Sequence, residues 1–246
     1  MVKRQSIGKS DVGITRSVNQ DSHYLDQEGR FFIVADGMGG HAGGQEASQL
    51  AIKTIREYFE EHWDSEDPSK LLIEKAVMDA NESILKDQHL HPERDEMGTT
   101  VVMVLFRRDG NWRGHVGDSR LYRLRDAQLE KITQDHTWVA KAIQRGDLTP
   151  EQVKTHPWRH VLFQCLGRKD LRVIDIEPLE VLPGDLLLLC SDGLTEEVSD
   201  TKINDLLLSA DPTNFEVTAS NLIAAAKEAG GSDNITVLLV SVEPEA

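Results

Sequence analysis

The sequence predicts an α+β fold in which antiparallel sheets carry helices layered outside them, and three observations lead there. Short apolar strand signals fall in three groups instead of alternating one by one with helices. Two helical patterns follow each other directly after the first strands, and a run of strands with turns but no helices fills the middle of the chain. A parallel sheet would need a regular βαβ order, which these segments lack.

The elements are justified in order. Phe31-Phe32-Ile33-Val34-Ala35 is a short apolar strand bounded by Arg30 and Asp36. Ala47, Leu50, Ala51, Ile55, Tyr58 and Phe59 recur at helical spacing and form one apolar stripe. Asp67-Pro68 reads as the N-cap and first-turn proline of a second helix, with Ile73, Ala76, Val77, Ala80 and Ile84 on one face. Thr99 to Phe106 is β-branched and apolar. The turn Asp109-Gly110 follows, and Trp112 to Val116 and Leu121 to Leu124 complete an antiparallel meander. Thr149-Pro150-Glu151-Gln152 is a capping box for a short third helix. Val173 to Ile176, Leu186 to Cys190 and Ile235 to Val242 are the late strands. Between the last two, a helix opens at Asp211-Pro212 and runs through Leu222, Ile223 and Ala226 to a Gly230-Gly231 stop. Residues 136 to 168 lack strand signals, are rich in His, Trp, Arg and Pro, and read as a protruding subdomain.

No repeat, low-complexity tract or linker divides the 246 residues, so a single domain over 1–246 is expected. With 42 acidic and 27 basic residues the net charge is −15, which argues against nucleic acid or an anionic membrane as the main partner. No apolar run approaches the ~18 residues of a membrane span. No hydrophobic stretch follows Met1-Val2-Lys3-Arg4, and a cytoplasmic location is expected. Cys165 and Cys190 are the only cysteines, which rules out a disulfide scaffold and fits a reducing compartment. Cys190 ends the run Leu186-Leu187-Leu188-Leu189, where a buried thiol is expected.

The informative pattern is where aspartates sit. Asp36, Asp118 and Asp192 each end a strand signal beside glycine, and Asp233 follows Gly230-Gly231-Ser232 and opens Ile235-Thr236-Val237. Aspartate is common in turns, but four at the rims of apolar strands suggest convergence. Converging carboxylates repel one another unless cations neutralise them, and hard oxygen donors favour Mg²⁺ or Mn²⁺ and phosphoryl hydrolysis.

Rival chemistries fail on context. Gly37-Met38-Gly39-Gly40-His41-Ala42 matches a dinucleotide fingerprint, but a second helix follows it where a strand ending in an acid is required. No G-x-x-x-x-G-K-[ST] loop is present. Cys165 is followed by arginines at 168 and 172, which misses the spacing of a cysteine phosphatase. His156 and His160 flank Pro157 and Trp158, so a zinc-binding helix face does not form there.

Taken together, the segments resemble the metal-dependent protein phosphatases of the PPM or protein phosphatase 2C family, in its bacterial form. The matching pieces are Gly13-Ile-Thr-Arg16-Ser-Val-Asn19-Gln20-Asp21, Asp36-Gly37-Met38-Gly39-Gly40, Gly98-Thr99-Thr100 and Gly117-Asp118-Ser119-Arg120. Thr133-Gln-Asp135-His136, Ser191-Asp192-Gly193-Leu194 and Gly231-Ser232-Asp233-Asn234-Ile235-Thr236 follow in family order. The resemblance implies two antiparallel β-sheets forming a central sandwich flanked by antiparallel helix pairs, with a metal centre at one edge. It implies that Asp36 bridges two Mg²⁺ or Mn²⁺ ions, that Gly37 offers its carbonyl, and that Asp192 and Asp233 complete the core. Asp118 with Asp192 would hold a weaker third ion, Asp21 would hold water near the metals, and Asn234 would support Asp233.

The implied reaction is hydrolysis of phosphoserine and phosphothreonine in phosphorylated proteins. Water bridging two cations has a lowered pKa and attacks phosphorus in line, with no phosphoenzyme. Arg16 suits the phosphate clamp because guanidinium pairs two oxygens at once. Two or three divalent cations add about +4 to +6 where the phosphate sits, against the global charge.

Two positions depart from animal members. Gln20 stands where they carry a glutamate, and Met38 replaces their proposed general acid. His41 and metal-bound water are the alternative proton donors, with water favoured. Residues 139–168 match the family's flap, where Arg159 and His160 are candidates for touching substrate. The resemblance also implies a monomer. A catalytically dead relative serving as a binding module would lack a metal ligand, and Asp36, Asp118, Asp192 and Asp233 are all present.

Overall fold

The computed structural model describes residues 4–40, 43–153, 156–210 and 214–243. One sheet runs in the order β1 (Arg4–Asp11), β11 (Ile235–Val242), β10 (Leu186–Cys190), β7 (Arg120–Arg125) and β8 (Gln128–Lys131). The other runs β2 (Asp21–Leu25), β3 (Phe31–Met38), β5 (Val101–Arg107), β6 (Gly110–Val116) and β9 (Asp175–Pro178), and the two-residue β4 (Gly98–Thr99) pairs the end of β3. Every pairing is antiparallel. Helices α1 (Gly43–His62) and α2 (Ser69–Leu90) cover the second sheet. Two short helices, α3 (Trp138–Gln144) and α4 (Pro150–Val153), lie in the predicted flap. Then α5 (Asp192–Thr195), α6 (Asp200–Leu208) and α7 (Phe215–Ala229) cover the first sheet.

Residue alternation explains why the central strands read as unbroken apolar runs. Phe32 and Val34 of β3, Leu187 and Leu189 of β10, and Leu238 and Val240 of β11 meet between the sheets. Their neighbours Phe31 and Ile33 face α1 and α2, and Leu188, Cys190, Val237 and Leu239 face α5 to α7. A strand buried on both faces has no polar side to alternate with. Fully burying one leucine is worth about 1.5–3 kcal/mol, so Leu187, Leu188 and Leu189 contribute on the order of 5–9 kcal/mol before the entropy of ordering them. Cys190 is buried as expected.

The predicted α+β sandwich is therefore the observed one, with three corrections in detail. The strand expected over Thr99 to Phe106 breaks at Thr100, whose N–H donates to the Asp36 carbonyl (2.9 Å) while its hydroxyl accepts from the Asp36 N–H (3.0 Å). The strand expected over Val173 to Ile176 starts at Asp175, where it registers with His115 of β6, and Val173 stays exposed. Asp67 does not cap α2. Pro68 holds that position, and Asp109, from the turn between β5 and β6, accepts from the Ser69 N–H (2.8 Å) and hydroxyl (2.5 Å). The Gly230 stop ends α7, which starts at Phe215, while the expected Asp211-Pro212 start lies outside the described residues. The Thr149 capping box forms: the Thr149 N–H donates to Gln152 Oε1 (2.8 Å), and the Gln152 N–H reaches the Thr149 hydroxyl at 3.5 Å.

Candidate active site

The sandwich brings the predicted aspartates to one end. Asp36, in β3, registers directly against Asp21, the first residue of β2. Only Ser191 separates Asp192, the first residue of α5, from β10, and only Asn234 separates Asp233 from β11. Asp118 lies in the crossing from β6 to β7, and so from one sheet to the other. A cavity of about 520 Å³ is lined by Asp36, Gly37, Asp118, Asp192 and Asp233 together with Arg16, Arg159 and His160. Asp21 is buried beneath them. The remaining candidate, His41, lies outside the described residues.

Two glycines allow this convergence. A side chain on Gly37 would have its Cβ 1.9 Å from the Gly44 carbonyl oxygen at the start of α1 and 2.6 Å from that of Gln20. Gly13 has φ +79°, and a Cβ there would lie 2.1 Å from the Asp233 carbonyl oxygen. The Ile14 and Thr15 N–H groups donate to the Gly231 carbonyl (2.8 and 3.3 Å), fixing the loop that carries Arg16. Arg16 Nη2 donates to Asp233 Oδ2 at 2.7 Å. Asn234 meets Asp233 through its main chain. Its backbone N–H donates to Asp233 Oδ1 (2.7 Å), while its side chain binds the Gln20 N–H and the Val12 and Val18 carbonyls. The side chain anchors the Arg16 loop; the main chain holds the carboxylate.

Electrostatics follow from crowding. Burial, then the charges of Asp21, Asp192 and Asp118, hold Asp36 well above the ordinary carboxylate range. Burial raises Asp118 in the same way, reinforced by Asp192 and Asp135, and burial also raises Asp192. Asp21 is pushed up to about 7 by burial and by Asp192 and Asp233, against hydrogen bonds from Thr236 (2.6 Å) and Ser191 (2.8 Å). Both bonds go to Oδ2; the buried Oδ1 has no protein partner. Divalent cations fit this site: the donors are hard oxygens, the carboxylates repel without countercharge, and Oδ1 retains an unused acceptor.

Three contributors were given no role from sequence, although Thr100 and His136 lie within matched segments. Glu196 stands one helical turn after Asp192, a spacing that puts both carboxylates on one face and was a usable signal. Its Oε1 meets His160 Nδ1 at 2.5 Å. His160, Asp192 and Glu196 form the one group of three such side chains whose ligand atoms lie within 4.8 Å among the described residues. Thr100 ties Asp36 to the Asp118 turn, since its hydroxyl also shares a hydrogen with Ser119 Oγ at 2.6 Å. His136 grips Gly117 on both sides, accepting from its N–H at Nδ1 (3.2 Å) and donating its own N–H to the Gly117 carbonyl (2.7 Å).

Comparison with known proteins agrees with this geometry. The family model described as Protein phosphatase 2C matches residues 13–235. The serine/threonine protein phosphatase PstP of Mycobacterium tuberculosis is 38% identical over 243 residues, 95% of this chain but 44% of that protein. The chain thus spans less than half the length of that relative. Protein phosphatase PhpP of Streptococcus pneumoniae is 35% identical over 245 residues, covering 96% of each chain. A crystal structure of the M. tuberculosis phosphatase superposes with a TM-score of 0.86 at 35% identity, covering 99% of this chain and 100% of that one. The catalytic domain of PstP in complex with two manganese ions gives 0.83 at 33% identity, covering 98% and 99%.

Proposed function

The chain belongs to the protein phosphatase 2C family, and from that premise we propose that it hydrolyses phosphoserine and phosphothreonine in phosphorylated proteins with Mg²⁺ or Mn²⁺. The observation that carries this reading is one cavity faced by four aspartates and the Arg16 guanidinium. Asp36, the Gly37 carbonyl, Asp192 and Asp233 would hold two ions, and Asp118 with Asp192 a weaker third. When bound, these ions supply an acidified water and neutralise phosphoryl charge.

The chain's own groups do the rest. Arg16 has five N–H donors, enough to keep Asp233 and still grip two phosphoryl oxygens. Asp21 Oδ1 accepts a hydrogen from water at the floor of the site. Met38 has no titratable group, so the leaving oxygen takes its proton from water in the cavity. Arg159 and His160 face the substrate from the flap over 139–168. No protein nucleophile is needed, and no phosphoenzyme is expected. A cytoplasmic monomer is the accompanying proposal; no described helix is long and apolar enough to cross a membrane.

The test is hydrolysis of p-nitrophenyl phosphate and a phosphopeptide with Mn²⁺, repeated with EDTA. Activity should vanish with chelator and return with Mn²⁺ or Mg²⁺. Asp192→Ala, which removes a ligand shared between sites, should abolish turnover. Near-normal Mn²⁺-dependent rates in that variant would sink the assignment.

A further inference from the structure

Two of the four tryptophans, Trp63 and Trp112, pack against the core, but Trp138 and Trp158 remain 38% and 53% exposed. These exposed rings meet at 86° with centroids 5.0 Å apart, and the His156 imidazole stacks on Trp138 at 5.1 Å. Trp158 also stands edge-on to His156 at 5.9 Å. The result is a corner with two aromatic walls. Among the described residues, no cationic side chain of the chain lies over either tryptophan ring.

The corner is fixed by its backbone. Thr137 caps α3, accepting from the Ala140 N–H, so Trp138 is the first helical residue. The Trp138 N–H donates to the Val161 carbonyl at 2.8 Å. The Trp158 N–H donates to His156 Nδ1 (3.1 Å), and the next two turns close through Arg159 N–H to His156 and Val161 N–H to Trp158, each at 3.1 Å. A surface ordered before binding loses little entropy when occupied.

Its chain neighbours also reach the proposed phosphate cavity. Arg159 and His160, directly after Trp158, line that cavity. So does Leu162, which bridges to Thr137 just before Trp138. We propose that the Trp138–His156–Trp158 cluster is a docking subsite for an apolar side chain of the phosphoprotein substrate, a few residues from its phosphoserine or phosphothreonine. This rests on the phosphatase reading above and adds a substrate class to it. Rigid tryptophans supply contact area at low entropic cost and dominate interface energetics. Exposed Val161 extends the apolar surface, and Arg159 repels a basic residue presented to the same place.

The experiment compares phosphopeptides carrying Leu, Phe, Ala or Lys at positions flanking the phosphoresidue, with p-nitrophenyl phosphate as the reference. The unaltered protein should favour Leu or Phe over Ala by about tenfold in kcat/KM, mainly through KM. Trp158→Ala and Trp138→Ala should erase that preference, and Trp158→Phe should restore part of it. p-Nitrophenyl phosphate, which has nothing to reach the corner, should be hydrolysed within about twofold of the normal rate. Indifference to the flanking residue, or a preference for Lys, would overturn the subsite. So would Trp variants that lose p-nitrophenyl phosphate hydrolysis in step with peptide hydrolysis. Absence of any p-nitrophenyl phosphate hydrolysis by the unaltered protein would overturn the phosphatase reading, and this subsite with it.

Discussion

Arg16 is paired before any phosphate arrives, since its ion pair with Asp233 spans 2.7 Å at a half-exposed position. In the proposed reaction, phosphate contact would therefore add to an oriented guanidinium. A charge-assisted bidentate contact is worth about 2–4 kcal/mol, so Arg16→Ala should lower kcat/KM roughly 30- to 1000-fold. Lys should rescue only part, having a point charge without the fork. The loss should appear with p-nitrophenyl phosphate as well as with phosphopeptide, and tight metal binding by calorimetry should survive. A loss confined to phosphopeptide would place Arg16 on the protein-recognition surface instead. At this scale the sequence was informative where chemistry and local pattern coincide: Asp36, Asp118, Asp192 and Asp233 each sit at a strand rim near glycine. It placed Thr100 and His136 only within matched segments and gave neither a role, because their partners Asp36 and Gly117 are 64 and 19 residues away and no local rule links them.

Among the elements, apolar strands were legible and polar edge strands were not. β1, with sequence RQSIGKSD, and β8, with QLEK, are the two edges of one sheet, and β2, with DSHYL, is an edge of the other. Pairing with β11, β7 and β3 creates them; their own side chains announce little. The cap of α2 by Asp109 is likewise a tertiary event. β6 carries a second consequence of burial. His115 is fully enclosed, neither ring nitrogen has a partner, and burial beside His136 pushes its pKa down to about 3. Its unfolded value is about 6.5. Between those values the unfolded chain takes up a proton that the fold refuses, so stability falls as pH falls through this window. From pH 7.5 to 5.5 the loss from this residue should be about 1.4 kcal/mol. Urea unfolding of His115→Leu should show a correspondingly shallower dependence, whereas equal slopes in both proteins would mean that His115 is not the source.

For the whole molecule, the decisive feature is that the site belongs to neither sheet alone. Asp21 and Asp36 come from one sheet, Asp192 and Asp233 flank strands of the other, and Asp118 sits in the crossing between them. Ions held by both groups would clamp the sandwich. Mn²⁺ at about one hundred times its Kd should stabilise the fold by about 2.7 kcal/mol and raise Tm by roughly 5–10 °C. Asp192→Ala should lose most of that shift. An active enzyme whose Tm ignores Mn²⁺ would show that the ions do not bridge the sheets. The layered architecture was legible from segment order, because two successive helices exclude a βαβ sheet. The pairing of β1 with β11 was not, since it depends on contacts far apart in sequence.

That pairing also dictates a timetable. β11 lies between β1 and β10, yet it follows every other strand in the chain, so β1 waits more than two hundred residues for its neighbour. The sheet of β2, β3, β5, β6 and β9 has all its strands by Pro178 and can begin to form on α1 and α2 while the other cannot. Closing such distant pairs is slow, with folding in milliseconds to seconds for β-rich topologies. Until it happens, Phe32, Val34, Val102 and Val104 face water instead of Leu187, Leu189 and Leu238, leaving a sticky surface that invites aggregation or a chaperone. The growing polypeptide also carries Asp36 well before Asp233, so the proposed metal site is incomplete while the chain is being made. The four aspartates come together late and all at once, when the final strand slides into the middle of its sheet.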